Sequence, residues 1–122
     1  MNILVVDDEN DVKDLFLQKF RKEIRQEILH FAFAFSGEEA LDYLNGQNPE
    51  SVLILSDINM PGMSGLELLE HIRKIHPSSP PEVMMITDYG DQGNKDKVLA
   101  LGADDFLTKP LDFGALKTKL LK

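Results

Sequence analysis

SVLILSDINMPGMSG, residues Ser51 to Gly65, decides the fold. Val52-Leu53-Ile54-Leu55 is a short, nearly continuous apolar run closed by Pro and Gly, the pattern of a strand buried on both faces. The run ends in a carboxylate, Asp57, and the chain then breaks at Asn59-Met60-Pro61-Gly62. A carboxylate where a buried parallel strand meets its loop stands at the carboxyl edge of a sheet, the edge at which open α/β folds bind ligands. Helix capping does not account for Asp57, because Ser64 is nearer the next helix and better suited to cap it.

Upstream, Ile3-Leu4-Val5-Val6 is a second such run and ends in Asp7-Asp8-Glu9. A helix is expected from about Asn10 to Arg25, with Val12, Leu15, Phe16 and Phe20 on one face and Lys19 snorkelling out of that stripe. Leu17 falls off the stripe and is expected at the surface. Phe31-Ala32-Phe33-Ala34-Phe35 alternates more strictly, as a strand near a sheet edge does. A second helix follows Ser36-Gly37-Glu38-Glu39, with Ala40, Leu41 and Leu44 inward, and ends in the turn chemistry of Asn45 to Pro49.

Downstream, a third helix is expected from about Ser64 to His76 with Leu68, Ile72 and Ile75 on its inner face. Pro77-Ser78-Ser79-Pro80-Pro81 then forms a stiff loop. Val83 to Ile86 is a fourth strand ending at Thr87-Asp88, and the loop from Tyr89 to Asp96 leads into a fourth helix that ends near Leu101-Gly102. Phe106-Leu107-Thr108 is a short fifth strand stopped by Lys109-Pro110, and a last helix carries Phe113, Leu116 and Leu120 on one face. Five successive βα units imply an α/β fold: one domain, residues 1–122, with a parallel sheet covered by helices on both faces.

The chain has 122 residues, a formal net charge of −8 and no cysteine. Disulfides, thiolate metal sites and cysteine nucleophiles are therefore excluded. The negative charge argues against direct nucleic-acid binding and favours a cation or a basic partner. No apolar run approaches the ~20 residues of a membrane span. The N-terminal MNILVVDDE lacks the basic region of a secretory signal, so the expected compartment is the cytoplasm and no membrane partner is expected. His30, His71 and His76 are scattered without metal-ligand spacing, which leaves oxygen donors and a hard metal as the first expectation.

Four of the strands end in polar groups: Asp7 and Asp8, Asp57, Thr87 and Lys109. In a parallel sheet these ends share one edge. Three carboxylates packed together repel, so one takes a proton or a cation joins them. A divalent cation resolves the conflict and makes an oxygen-rich Mg²⁺ site. The lysine and the hydroxyl remain to hold anionic oxygens.

With these residues in order, the chain resembles the receiver domain of two-component response regulators. The Asp7-Asp8 pair, the segment Asp57 to Gly65, Thr87, Phe106 and Lys109-Pro110 carry the resemblance, supported by Gly37-Glu38-Glu39-Ala40-Leu41 and Leu101 to Phe106. It covers nearly the whole chain. It implies a (βα)5 doubly wound, flavodoxin-like fold with strand order 2-1-3-4-5 and a cis Lys109-Pro110 bond. It also implies that Asp57 accepts a phosphoryl group from a phosphohistidine on a sensor histidine kinase or phosphotransfer protein. Mg²⁺ is then held by Asp8, Asp57 and the Asn59 carbonyl, with Asp7 acting through water, and Lys109 pairs with Asp57. Thr87 and Phe106 are the implied switch residues, and the surface of the fourth helix, fifth strand and fifth helix is what a downstream effector domain or protein reads. Dimerisation through that face is compatible with the family.

One residue departs from the family pattern. Asp88 stands where a small residue is usual and is expected to slow phosphorylation by small donors. The competing reading is an aspartyl-nucleophile phosphatase or phosphotransferase, an enzyme rather than a phosphoacceptor switch. It is weakened because Asp57-Ile58-Asn59 lacks the second acid of such enzymes. A nucleotide carrier is disfavoured because no glycine-rich phosphate loop follows the first strand.

Overall fold

A computed structural model describes residues 1–47, 52–76, 81–87 and 93–121. Its elements are β1 (Asn2–Val6), α1 (Asn10–Lys19), α2 (Arg21–Arg25), β2 (His30–Ala34), α3 (Gly37–Asn45), β3 (Val52–Asp57), α4 (Gly65–Ile75), β4 (Glu82–Thr87), α5 (Gly93–Ala100), β5 (Asp105–Thr108) and α6 (Phe113–Leu120). The five strands form one sheet in the order β2-β1-β3-β4-β5, and every neighbouring pair is parallel. This is the expected doubly wound α/β architecture. The alternating β2 is an edge strand, and the continuous apolar runs β1, β3 and β4 are flanked on both sides.

Side chains of a strand alternate between the two faces of a sheet. Leu4, Val6 and Ile54 join the core under α3, α4 and α5. Ile3, Val5 and Leu55 join the core under α1, α2 and α6, with Phe16, Phe20 and Leu116. Five phenylalanines, Phe16, Phe20, Phe31, Phe33 and Phe113, stack or meet edge-on there with ring centroids 5.2–6.5 Å apart.

The expected single helix over residues 10–25 is two helices. Phe20, fully buried, takes φ −108 and ψ 19 and separates α1 from α2. Hydrogen bonds from the Phe20 N–H to Phe16 O and from the Ile24 N–H to Phe20 O persist across the junction, so it is a kink rather than a stop. Because the first helix is split, the second to fifth helices of the sequence reading are α3 to α6. Beyond α2, Glu27 adopts φ 58. Its N–H donates to Ile24 O and that of Ile28 to Glu23 O, the paired bonds of a Schellman turn with glutamate where glycine is usual.

Two apolar stripes are narrower than expected. Leu15 is 41% exposed and Ile75 52%. At 100° per residue, Leu15 lies about 120° from the line through Phe16 and Phe20. Ile75 lies about 70° from the face formed by Leu68, Leu69 and Ile72. Leu17 is exposed, as expected. Ser36 and Ser64 cap α3 and α4, the latter in a reciprocal capping box with Glu67.

Candidate functional site: an acidic rim with one lysine

Parallel pairing brings the strand ends to one rim. Asp7, one residue past β1, is buried; its own N–H donates to Ala34 O of β2 at 3.1 Å. Asp8 beside it is exposed. Asp57, the last residue of β3, is buried to 4% exposure and pairs in register with Ile86. The ladder runs one residue further, where the Ile58 N–H donates to Ile86 O at 3.0 Å. Thr87 therefore follows directly on the neighbouring strand, and the Lys109 N–H donates to Thr87 O at 2.7 Å. The Lys109–Pro110 peptide is cis.

Carboxylate oxygens of Asp7, Asp8 and Asp57 lie within 4.8 Å of one another. Lys109 Nζ donates to Asp57 Oδ2 at 3.2 Å and stands 3.8 Å from Asp7 Oδ2. One ammonium thus reaches two of the three acids. Burial pushes the Asp7 carboxyl above its ordinary range; the Asp57 charge adds to that rise, while the Glu9 N–H, donating at 3.0 Å, and Lys109 oppose it. A deficit of positive charge among clustered hard oxygen donors is what a divalent cation of the Mg²⁺ type fits. Asn59, two residues past Asp57, is exposed at the start of the loop.

The Thr87 hydroxyl is fully buried and has no hydrogen-bond partner among the described residues. Phe106, on β5, is half-buried against the core under α3 to α5. Asp88 and Tyr89 lie outside the described residues, and so does the expected effect of Asp88.

Two supporting residues were not singled out from the sequence. Ser56, buried, donates its hydroxyl to the Asp57 carbonyl at 3.0 Å. Gly65 opens α4 directly beneath the loop: its N–H donates to Ile58 O at 2.8 Å, and an added Cβ would collide with the Asp57 carbonyl and come 2.8 Å from Ile58 Cα. A glycine following a capping serine was the only local signal for that close approach.

An open parallel sheet of this order, with acids, a hydroxyl and a lysine gathered at its carboxyl rim, defines a flavodoxin-like domain built around a charged rim site. The chain belongs to the response regulator receiver domain family, whose family model matches residues 3–121. Receiver domains are signalling switches of two-component systems. The response regulator RppA of Synechocystis sp. is 37% identical over 120 residues, covering 98% of this chain and 49% of that protein. The response regulator protein PilR of Pseudomonas aeruginosa is 38% identical over 117 residues, covering 93% and 24%. The chain thus spans about half the length of the first relative and about a quarter of the second. Among solved structures, the Saccharomyces cerevisiae receiver domain of Ssk1, crystallised with the histidine phosphotransfer protein Ypd1, superimposes with a TM-score of 0.84. It is 26% identical and covers 98% of this chain and 86% of that one. Among the described residues no helix is long and apolar enough to cross a membrane.

Proposed function

We propose that this chain is a phosphoacceptor switch: Asp57 takes a phosphoryl group from a phosphohistidine donor, and the surface formed by α5, β5 and α6 reports it. The observation that carries this reading is the Asp57 carboxylate, buried at the rim with the Lys109 ammonium 3.2 Å from Oδ2 and two further carboxylates close by. An Asp57 oxygen attacks phosphorus, the P–N bond of the donor breaks, and the freed imidazole takes its proton from solvent. The nucleophile needs no base because a carboxylate is already anionic at neutral pH. Lys109 passes from the carboxylate to a phosphoryl oxygen as charge builds there. Mg²⁺ bound by Asp8, Asp57 and the Asn59 carbonyl, with Asp7 behind a water, would supply the remaining positive charge between anionic nucleophile and anionic phosphoryl group.

The Thr87 hydroxyl, without a partner among the described residues, gains an acceptor in the phosphoryl oxygen. Its movement leaves room that Phe106 turns to fill. The change is a shift between two populated arrangements of one fold. A downstream effector domain or protein reads the new surface, and a second copy of the chain can pair on the same face.

The donor, a sensor histidine kinase or histidine phosphotransfer protein, is proposed to rest beside the rim. A cavity of about 550 Å³ beside Asp7 and Lys109 is walled by Val12, Leu15, Phe16, Pro110, Leu111 and Phe113. The outward Leu15 belongs to it. The exchange is proposed to occur in the cytoplasm and to turn over no external substrate. Intact-mass measurement after incubation with Mg²⁺ and a phosphohistidine donor tests the reading. One added phosphoryl group, absent in Asp57→Asn, is expected. Sustained phosphate release over many turnovers would assign a phosphatase instead, and labelling that persists in the variant would exclude Asp57.

A further inference from the structure

Charge on this molecule is segregated as well as negative overall. Lys19, Arg21, Lys22 and Arg25, four of the 13 basic residues, lie within seven positions astride the Phe20 kink. All four are exposed. Among the described residues none of them makes a side-chain hydrogen bond or an ion pair. With Gln18 they line a shallow cleft of about 420 Å³. The acid within the run, Glu23, is withdrawn from this surface: it is buried, and its Oε2 pairs with Lys117 of α6 at 3.3 Å. Glu27, past the turn, is exposed and pairs with none of them. Of the two acids near these four basic residues, the fold withdraws Glu23 and leaves only Glu27 exposed.

Four like charges within about 10 Å of helix repel one another even in water, and among the described residues only the buried Glu23 charge, acting on Lys22, offsets this. A ligand bringing several carboxylates would offset it further. We infer that this cleft is a docking surface for a short acidic peptide segment of a partner protein. A nucleic acid fits less well, because a long polyanion leaving the patch meets the rest of a chain whose net charge is −8. The surface also lies apart from the phosphoacceptor rim. α1 starts just after Asp7 and Asp8, and its ten residues carry the chain about 15 Å away before the patch begins. A segment held here leaves the rim open to a donor.

The test is fluorescence anisotropy of a labelled oligoglutamate peptide against the whole chain at low salt. Wild type binds, and binding weakens as salt rises. Arg21→Glu/Arg25→Glu weakens it about tenfold or more. Lys74→Glu/Lys97→Glu, which changes net charge equally on α4 and α5, leaves it unchanged. Circular dichroism melts establish that each variant is folded, and Lys22→Gln/Arg25→Gln serves if the reversal unfolds the chain. Failure of the peptide to bind, or equal weakening by both double reversals, overturns the inference. So does tighter binding of oligothymidylate or of phosphatidylserine vesicles than of the peptide. Sedimentation showing self-association that Arg21→Glu/Arg25→Glu abolishes would assign the patch to a second copy of the chain and overturn it too.

Discussion

Asp7 and Glu23 are buried almost equally, at 6% and 7% exposure, yet they are driven in opposite directions. Burial raises the Asp7 carboxyl, and the neighbouring Asp57 charge raises it further. Glu23 is lowered, first by a hydrogen bond from its own backbone N–H and then by Lys117. Near one end of the α1–α2 run three acids have one lysine among them; at the other a single acid has a lysine of its own. The Glu23–Lys117 pair ties α2 to α6, and Lys117 also lies 5.5 Å from the Phe20 ring centroid. The charge at that end is paired, although the second Glu23 oxygen, Oε1, is buried with no hydrogen-bond partner among the described residues. Among the described residues the rim gathers three acids around one lysine and holds a buried hydroxyl with no hydrogen-bond partner, which fits the proposed arrival of a cation and an anionic oxygen group together.

The largest expected effect removes the centre of the rim. Asp57→Asn should abolish phosphoryl labelling outright. It should also raise the melting temperature at neutral pH in metal-free buffer, because a buried like charge next to Asp7 is gone. A lowered melting temperature would mean that Lys109, losing its 3.2 Å partner, matters more than the repulsion. Next in size, Gly65→Ala should destabilise by about 1–3 kcal/mol in urea titrations, since the new methyl group meets backbone that has no rotamer to yield. The rim should suffer most, with labelling slowed beyond what the loss of stability explains. Wild-type labelling in this variant would show that the Asp57 carbonyl can shift freely, and that the rim is softer than its burial indicates.

Mg²⁺ offers a third and smaller contrast. It should raise the melting temperature of the wild type, an effect that follows from ligand binding to the folded state alone. Asp8→Asn should weaken that binding at least about tenfold, no less than the loss of an outer-sphere partner. Lys117→Met, at the other end of the α1–α2 run, should leave the Mg²⁺ dependence intact. Equal Mg²⁺ responses in Asp8→Asn and wild type would remove the exposed acid from the cation site.

The residues at the strand ends were readable because a buried parallel strand announces itself as an apolar run and stops at a polar residue. Asp57 after Val52 to Leu55 is the clearest instance. The edge position of β2 was readable from its alternation. Side-chain direction on helices was less so. Leu15 and Ile75 were assigned inward from spacing that tolerates wide angles, and both face outward. The kink at Phe20 left no mark, since Phe16 and Phe20 keep helical spacing on either side of it. Glu23 was the hardest to see. In a run of lysines and arginines an acid reads as solvated, and the lysine that draws it inward stands on the last helix.

The smallest prediction tests the comparison on its own ground, through pH. Glu23 has its folded carboxyl below the unfolded value, so its contribution to stability is fully present above the unfolded carboxylate range. It is lost as pH falls through the folded value. Asp7 has its folded carboxyl above the unfolded value, so it binds its proton more tightly when folded. It weighs against the fold at neutral pH and is relieved as pH falls into the acid range. Chemical denaturation between neutral and acid pH in metal-free buffer should therefore separate two variants. Asp7→Asn should raise stability at neutral pH, and its advantage should shrink on acidification as the wild-type carboxyl takes its proton. Lys117→Met should lower stability at neutral pH, and its deficit should shrink on acidification as Glu23 is neutralised. The two difference curves thus approach zero from opposite sides. If both lay below zero at neutral pH, Asp7 would be held as firmly as Glu23 by its hydrogen bond from Glu9 and by Lys109. The rim would then have no charge deficit for a cation to fill.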